Sequence, residues 1–327
     1  MNGSLVVFAP SPLLTITVEG RRASGDEIHL HAGGQGFWVA RMAALMGASV
    51  QLCCALGGES GAVLRGLIAR ENVQLLDVAC AGANGVYVHH RSDGERTELA
   101  RTACPGLSRH ETDELYGVTF SAALDSGLLL LTGSDPYGVI EDDLYRRLAG
   151  DLRSNGVRVI ADLHGPALCS ALQGGLEVLK LSEEELLADR LAAGAERDQL
   201  TAALAELHDA GASSVLLSRA DHPALVLDGP GGRFLQLTGP RVEAFEPHGT
   251  GDSMFAALGA SIAVGHDLET ALRMATAAGC LNATRRGLGT GTRQLVEQLS
   301  RHVGLDDLAT AGDPHATRTS PNDPVAR

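Results

Sequence analysis

The stretch that decides how this chain is read runs from Glu246 to Gly265, EPHGTGDSMFAALGASIAVG. Gly249, Thr250 and Gly251 form a glycine turn that feeds directly into an apolar helical pattern whose first residues are Asp252 and Ser253. The first amides of a helix have no intrahelical partner, and the aligned peptide dipoles add about half a positive charge there. Such a turn cradles an anion. An aspartate at the same spot would stand beside a docked phosphoryl group, ready to take the proton of an attacking hydroxyl. Taken alone, these residues also fit a helix N-cap after a flexible turn.

A second glycine cluster lies near the other end of the chain. HAGGQGFWVARMAALMG, residues 31–47, sets Gly33, Gly34 and Gly36 between a strand pattern and a helix closed by Gly47. No Gly-Lys-Ser/Thr follows, so it is not a Walker A loop, and it is a poor dinucleotide fingerprint. Between the two clusters, from about residue 110, strand and helix patterns alternate: GLLLLTG, IEDDLYRRLAGDLRSNG, VRVIADL, LEVLKLS, RDQLTAALAELHDAG and SVLLSRA. That rhythm predicts βαβ units, hence an α/β fold with a doubly wound, mainly parallel sheet flanked by helices. The alternating strands LLTITVEG, DEIHLHAGG, GVYVHHRSDG and ERTELART have polar outer faces and cannot lie inside such a sheet. They predict a small β-sheet lid over about residues 13–32 and 85–103. Three late strands are expected in ALVLDG, GRFLQLTG and RVEAFEP. The whole reads as one domain over 1–303, followed by a disordered tail over 304–327, where Pro, Asp, Thr and Ala replace periodic apolar residues.

Composition narrows the partners. The charge balance of 26 − 40 = −14, without a basic run, argues against nucleic acid and anionic membranes. No 18-residue apolar stretch and no signal-like N-terminus is present, so a cytoplasmic location is expected. The six cysteines show no C-x-x-C spacing and read as free thiols. His29 and His31, two apart on one strand face, fit either a metal clamp or an ordinary polar face.

With both glycine clusters in order, the chain resembles the ribokinase/PfkB carbohydrate kinases over about residues 1–300, in the branch of 1-phosphofructokinase and tagatose-6-phosphate kinase. AGGQGFWVARMAALMGA is similar to the family's first signature, and HGTGDSMFAALGASIAVG to its second. LTGSDPYGVIEDDLYRRLAGDLRSNGVRVIADLHGPAL is similar to its G-S-x-P to D-x-S-G run, LKLSEEEL to K-P-N-x-x-E-L, LLSRADHPALV to its nucleotide-side strand, and NATRRGLGTG to the end of its closing helix. The resemblance implies a ribokinase-like fold and an ATP-dependent, Mg²⁺-requiring kinase acting on a small hydroxyl-bearing molecule. It implies that Asp252 is the catalytic base and that Gly249, Thr250 and Gly251 stabilise the transferred phosphoryl group. Lys180 would stand near the nucleotide phosphates, Ser218 and Asn282 would line the nucleoside pocket, and Glu185 would organise the metal. Lys180 and Glu185 also fit solvated charges at a helix start.

Departures fall on the acceptor side. Where the branch has N-P-x-x-D this chain ends SPLLT on Thr15, and its A-G-G-K-G-x-N becomes A-G-G-Q-G-F-W, with Gln35 and Trp38. Gly33 and Gly34 remain as backbone contacts. A strict fructose-1-phosphate or tagatose-6-phosphate kinase is thereby argued against, while Arg91, Arg96 and Arg101 in RSDGERTELARTACPG supply cations for a substrate phosphate. Ser182 and Glu246-Pro247 depart from the family pattern as well. Besides the sugar or sugar-phosphate kinase, two readings stay open: a nucleoside or aromatic-alcohol kinase using Trp38 as a stacking platform, and a non-catalytic metabolite or nucleotide binder. A homodimer through the lids is expected.

Overall fold

LLLLT, residues 128–132, is buried along its whole length, as a strand must be when both faces of its sheet are covered by helices. The computed structural model describes residues 3–20, 25–92, 95–134, 138–229, 231–243, 248–285 and 291–308. In chain order the elements are β1 (Ser4–Phe8), β2 (Leu13–Glu19), β3 (Glu27–Gly33), α1 (Gln35–Leu45), β4 (Ser49–Gly57), α2 (Gly58–Ile68), β5 (Gln74–Cys80), β6 (Val86–Ser92), β7 (Glu95–Thr102) and α3 (Arg109–Ser126). Then come β8 (Leu128–Thr132), α4 (Asp143–Ser154), β9 (Arg158–Asp162), α5 (Gly165–Gly174), β10 (Leu176–Ser182), α6 (Glu183–Ala188), α7 (Arg197–Asp209) and β11 (Ala212–Arg219). The chain continues through β12 (His222–Asp228), β13 (Arg233–Thr238), α8 (Thr250–Ala263), α9 (Leu268–Ala283), α10 (Arg293–Ser300) and β14 (Gly304–Asp307).

Ten strands make one sheet in the order β14-β13-β12-β11-β10-β9-β8-β1-β4-β5, parallel from β11 to β5 and antiparallel beyond β11. Successive residues of β1 serve opposite faces. Leu5 and Val7 join a core with Val39 of α1, Phe255 of α8 and Ala275 of α9; Val6 and Phe8 join another with Leu115 of α3, Leu148 of α4 and Leu204 of α7. Each such fully buried aliphatic side chain stabilises the fold by about 1.5–3 kcal/mol. β2, β3, β6 and β7 form the separate four-stranded sheet expected as a lid.

Two expectations need correction. RVEAFEP supplies no strand at residues 241–243, and 244–247 lie outside the described residues, as does the departure at Glu246-Pro247. The tail does not begin at 304: β14 pairs antiparallel with β13, because Leu305 opposite Leu237 extends an apolar row. Residues 309–327, positions 93–94 and the RGLGT half of NATRRGLGTG, 286–290, lie outside the described residues. The six cysteines are free, with Cys53, Cys54 and Cys104 buried. No helix among the described residues is long and apolar enough to cross a membrane.

Candidate active site

The carboxyl ends of β1, β8, β9 and β10 converge under a cleft of about 440 Å³. Gly34, Gln35, Ser134, His164, Glu185 and Asp252 are among the residues lining it. Ligands of open parallel sheets bind at this edge, outside the strand ends.

Gly249 is the N-cap of α8 at φ 73°, a left-handed conformation that a side chain would strain, and it turns the chain so that Thr250, Gly251 and Asp252 open the helix. Asp252 is partly buried at this helix start and lines the cleft. Lys180, at the end of β10, lies directly beneath: a Cβ on Gly251 would stand 2.7 Å from its Nζ. Lys180 Nζ donates to Asp162 Oδ2 at 2.8 Å, with the two side chains only 4% and 2% exposed. The alternative of a solvated Lys180 is thereby overturned, because an ammonium so buried must be paired. Asp162, which ends β9, was not singled out from sequence. Its signal was the aspartate of the D-x-S-G-like run, whose partner Lys180 is 18 residues away and adjacent only through β9–β10 pairing.

Electrostatics follow from three carboxylates sharing one ammonium. Burial, then the Asp162 carboxylate, pushes the Asp252 carboxyl up to about 7, against the pull of Lys180. Burial likewise lifts Asp162 to about 6 despite Lys180. Burial disfavours the Lys180 ammonium, but Asp162, Glu185 and Asp252 outweigh it and hold its pKa above the ordinary range. Glu185 behaves differently. Burial works against its charge, yet Lys180 and the hydrogen bonds from Ser182 keep its carboxyl below the usual carboxylate range. Those bonds form a capping box at α6: Ser182 N and Oγ donate to Glu185 Oε2 at 2.8 and 2.7 Å, and Glu185 N donates to Ser182 Oγ at 3.2 Å. Glu185 is a cap and a cleft residue at once.

At the start of α1, Gln35 Oε1 accepts from Gly133 N at 2.9 Å while its Nε2 donates to the Asp162 carbonyl at 3.3 Å. The side chain therefore bridges the ends of β8 and β9. Trp38 is not among the residues lining the cleft in this structure; its indole is half-buried against the core, edge-on to the cleft residue Phe37 at 5.2 Å, with the Arg41 guanidinium 5.8 Å from its centroid. Thr15 stands at the lid base, its Oγ1 2.5 Å from where a Cβ on Gly33 would be. It is in register with His31 on β3 and Tyr87 on β6, and Tyr87 with Arg101 on β7. Arg101 lies 4.6 Å over the Tyr87 ring and donates to Glu98 at 3.2 Å; Arg96 pairs in register with Arg91 farther out.

The two residues expected at the nucleoside are turned inward. Ser218 Oγ donates to the Leu181 carbonyl at 3.4 Å, and the buried Asn282 donates to the His248 carbonyl at 2.9 Å, which ties α9 to the turn before α8. His164, after Asp162, joins the cleft wall and was missed, since only the fold brings it beside Glu185.

Comparison with known proteins places this geometry. The profile of the pfkB family carbohydrate kinases matches residues 11–295. ATP-dependent 6-phosphofructokinase isozyme 2 of Escherichia coli is 30% identical over 260 residues, 78% of this chain and 82% of that one. The 1-phosphofructokinase of Vibrio cholerae is 27% identical over 322 residues, 94% and 98% of the two chains. The crystal structure of Escherichia coli phosphofructokinase-2 in complex with potassium superposes with a TM-score of 0.79 at 25% identity, covering 92% of this chain and 99% of that one. The fold is thus ribokinase-like, with a large mostly parallel sheet and a separate small one. Since the match takes in both glycine-led helix starts and every strand end between them, the chain belongs to the pfkB family of carbohydrate kinases, phosphotransferases whose acceptor is a hydroxyl group.

Proposed function

We propose that this kinase transfers the γ-phosphoryl group of ATP, with Mg²⁺, to a hydroxyl of a sugar phosphate or a closely related sugar or polyol. The observation that carries the reading is Asp252 at the glycine-led start of α8, lining the cleft beside Lys180. Asp252 takes the acceptor's proton as the acceptor oxygen bonds to phosphorus and the bond to the ADP oxygen breaks. Amides at Gly249, Thr250 and Gly251 face the charge gathering on the phosphoryl oxygens, and Lys180 adds a fixed cation. Ser218 and Asn282 would act on the nucleotide side through the backbone they hold.

The residues fit a hard divalent ion. Asp162, Glu185 and Asp252 against Lys180 leave two formal negative charges at one end of the cleft, all on oxygen donors. Glu185 and Asp162 would hold the ion, which when bound offsets phosphate charge. The phosphosugar acceptor is supported by the names of the relatives and by the row Thr15–Tyr87–Arg101, which sets a guanidinium two strands from Thr15. Exposed Ile28, Leu30 and Leu99 on the lid support a homodimer, to be checked by light scattering.

The test is ADP release over a panel of sugars, sugar phosphates and nucleosides, with Asp252→Asn as control. Turnover of a phosphosugar that vanishes in the variant supports the reading. Activity surviving in Asp252→Asn sinks the assigned base, and a nucleoside as best acceptor sinks the substrate class.

A further inference from the structure

We propose that the outer end of the β2–β3 hairpin in the lid binds a divalent transition-metal ion of the zinc class through Glu19, Glu27 and His29. Among the described residues these three form the group of His, Cys, Asp and Glu side chains whose ligand atoms converge, all within 4.8 Å of one another. His29 Nε2 lies 3.5 Å from Glu27 Oε2 and 4.0 Å from Glu19 Oε2. A tetrahedral zinc site with bonds of about 2.0–2.1 Å has ligand–ligand edges near 3.4 Å, so small side-chain rotations close the set.

Strand register builds the site. Glu19 is directly opposite Glu27, and His29, opposite Thr17, is two residues on from Glu27 on the same face. Two carboxylates placed opposite each other repel, and a dication between them turns that repulsion into attraction. Two basic groups among the described residues stand nearby. Arg91 is the register partner of Glu19 on β6, and Arg41 acts on His31 from α1. His31 stacks on His29 with ring centroids 6.1 Å apart and planes 20° apart, which steadies the ligating imidazole. A nitrogen donor beside two carboxylates favours zinc-class ions over Mg²⁺ or Ca²⁺, which take oxygen. With side chains 34–44% exposed, water can complete the coordination.

This site is separate from the phosphoryl-transfer cleft. Glu19 lies four residues along β2 from Thr15, about 13 Å at strand spacing. A bound ion would clip β2 to β3 and stiffen the lid, and it stands whether or not the acceptor is a phosphosugar.

The experiment is calorimetric titration of the full chain with ZnCl2, together with absorption of the Co²⁺-loaded protein. One equivalent is expected, with the intense visible bands of tetrahedral Co²⁺. His29→Ala and the double variant Glu19→Gln/Glu27→Gln should weaken binding at least about tenfold, while His222→Ala on β12 leaves it unchanged. Melting curves without metal confirm that the variants fold. Zinc binding as tight in His29→Ala as in the parent, loss of binding in His222→Ala, or only the weak bands of octahedral Co²⁺ overturns the proposal.

Discussion

The two glycine-led helix starts, at α1 and α8, both line one cleft and are built differently. At α8 the turn presents Asp252 and its neighbouring amides over a buried Lys180 that is ion-paired with Asp162. At α1 no acidic residue stands in the first turn, and Gln35 spends both ends of its amide on the backbone at β8 and β9. The α8 start is charged, whereas the α1 start is neutral and braced. On the proposed function, α8 supplies the chemistry and acceptor choice falls to α1 and the small sheet.

The hardest blow to this contrast is Asp252→Asn, expected to lower kcat roughly 10³-fold while barely moving the KM for ATP, in a coupled ADP assay. Lys180→Met should destabilise the fold by about 3–5 kcal/mol in chemical denaturation, because it leaves Asp162 buried without its ion-pair partner. The pH profile sharpens the point. Asp252 must be ionised to accept a proton and its carboxyl is raised to about 7, so kcat/KM should fall about tenfold per pH unit below about 7. The folded state then holds this proton more tightly than the unfolded chain does. Its stabilising contribution, complete below about pH 4, is lost as pH rises through about 7. Trp38→Asn should cost about 2 kcal/mol of stability with little change in acceptor KM; a large KM change with unaltered stability would return Trp38 to the cleft. Smallest is Gln35→Lys, for which a several-fold lower KM for phosphosugars is expected; higher KM and a lower melting temperature would mean that the two backbone bonds matter more than the added charge.

How much of this was legible depended on whether the cause was local. The α8 turn and the strand–helix alternation were readable because glycine placement and apolar period act over a few residues. β5 gave a weaker signal, since only Val78 of its seven residues is fully buried, and α3 hides its inner face in Thr119, Ala122 and Ala123. The role of Asp162 appears only once β9 and β10 lie side by side. For Trp38 the position matching the signature's asparagine pointed to the acceptor, whereas the packing that half-buries it against the core is set by the fold. Composition said little about β14, whose two aspartates mask the Leu305 that pairs it to the sheet.

The serine at 182 has a consequence of its own. By locking Glu185 into the start of α6, it removes in advance the rotational freedom that a free glutamate would surrender on gripping an ion, worth about 1.5–2 kcal/mol. The same Ser-x-x-Glu lock holds Glu111 at the start of α3, far from any chemistry. An ordinary folding device has thus become a way of keeping one catalytic-site oxygen waiting in place.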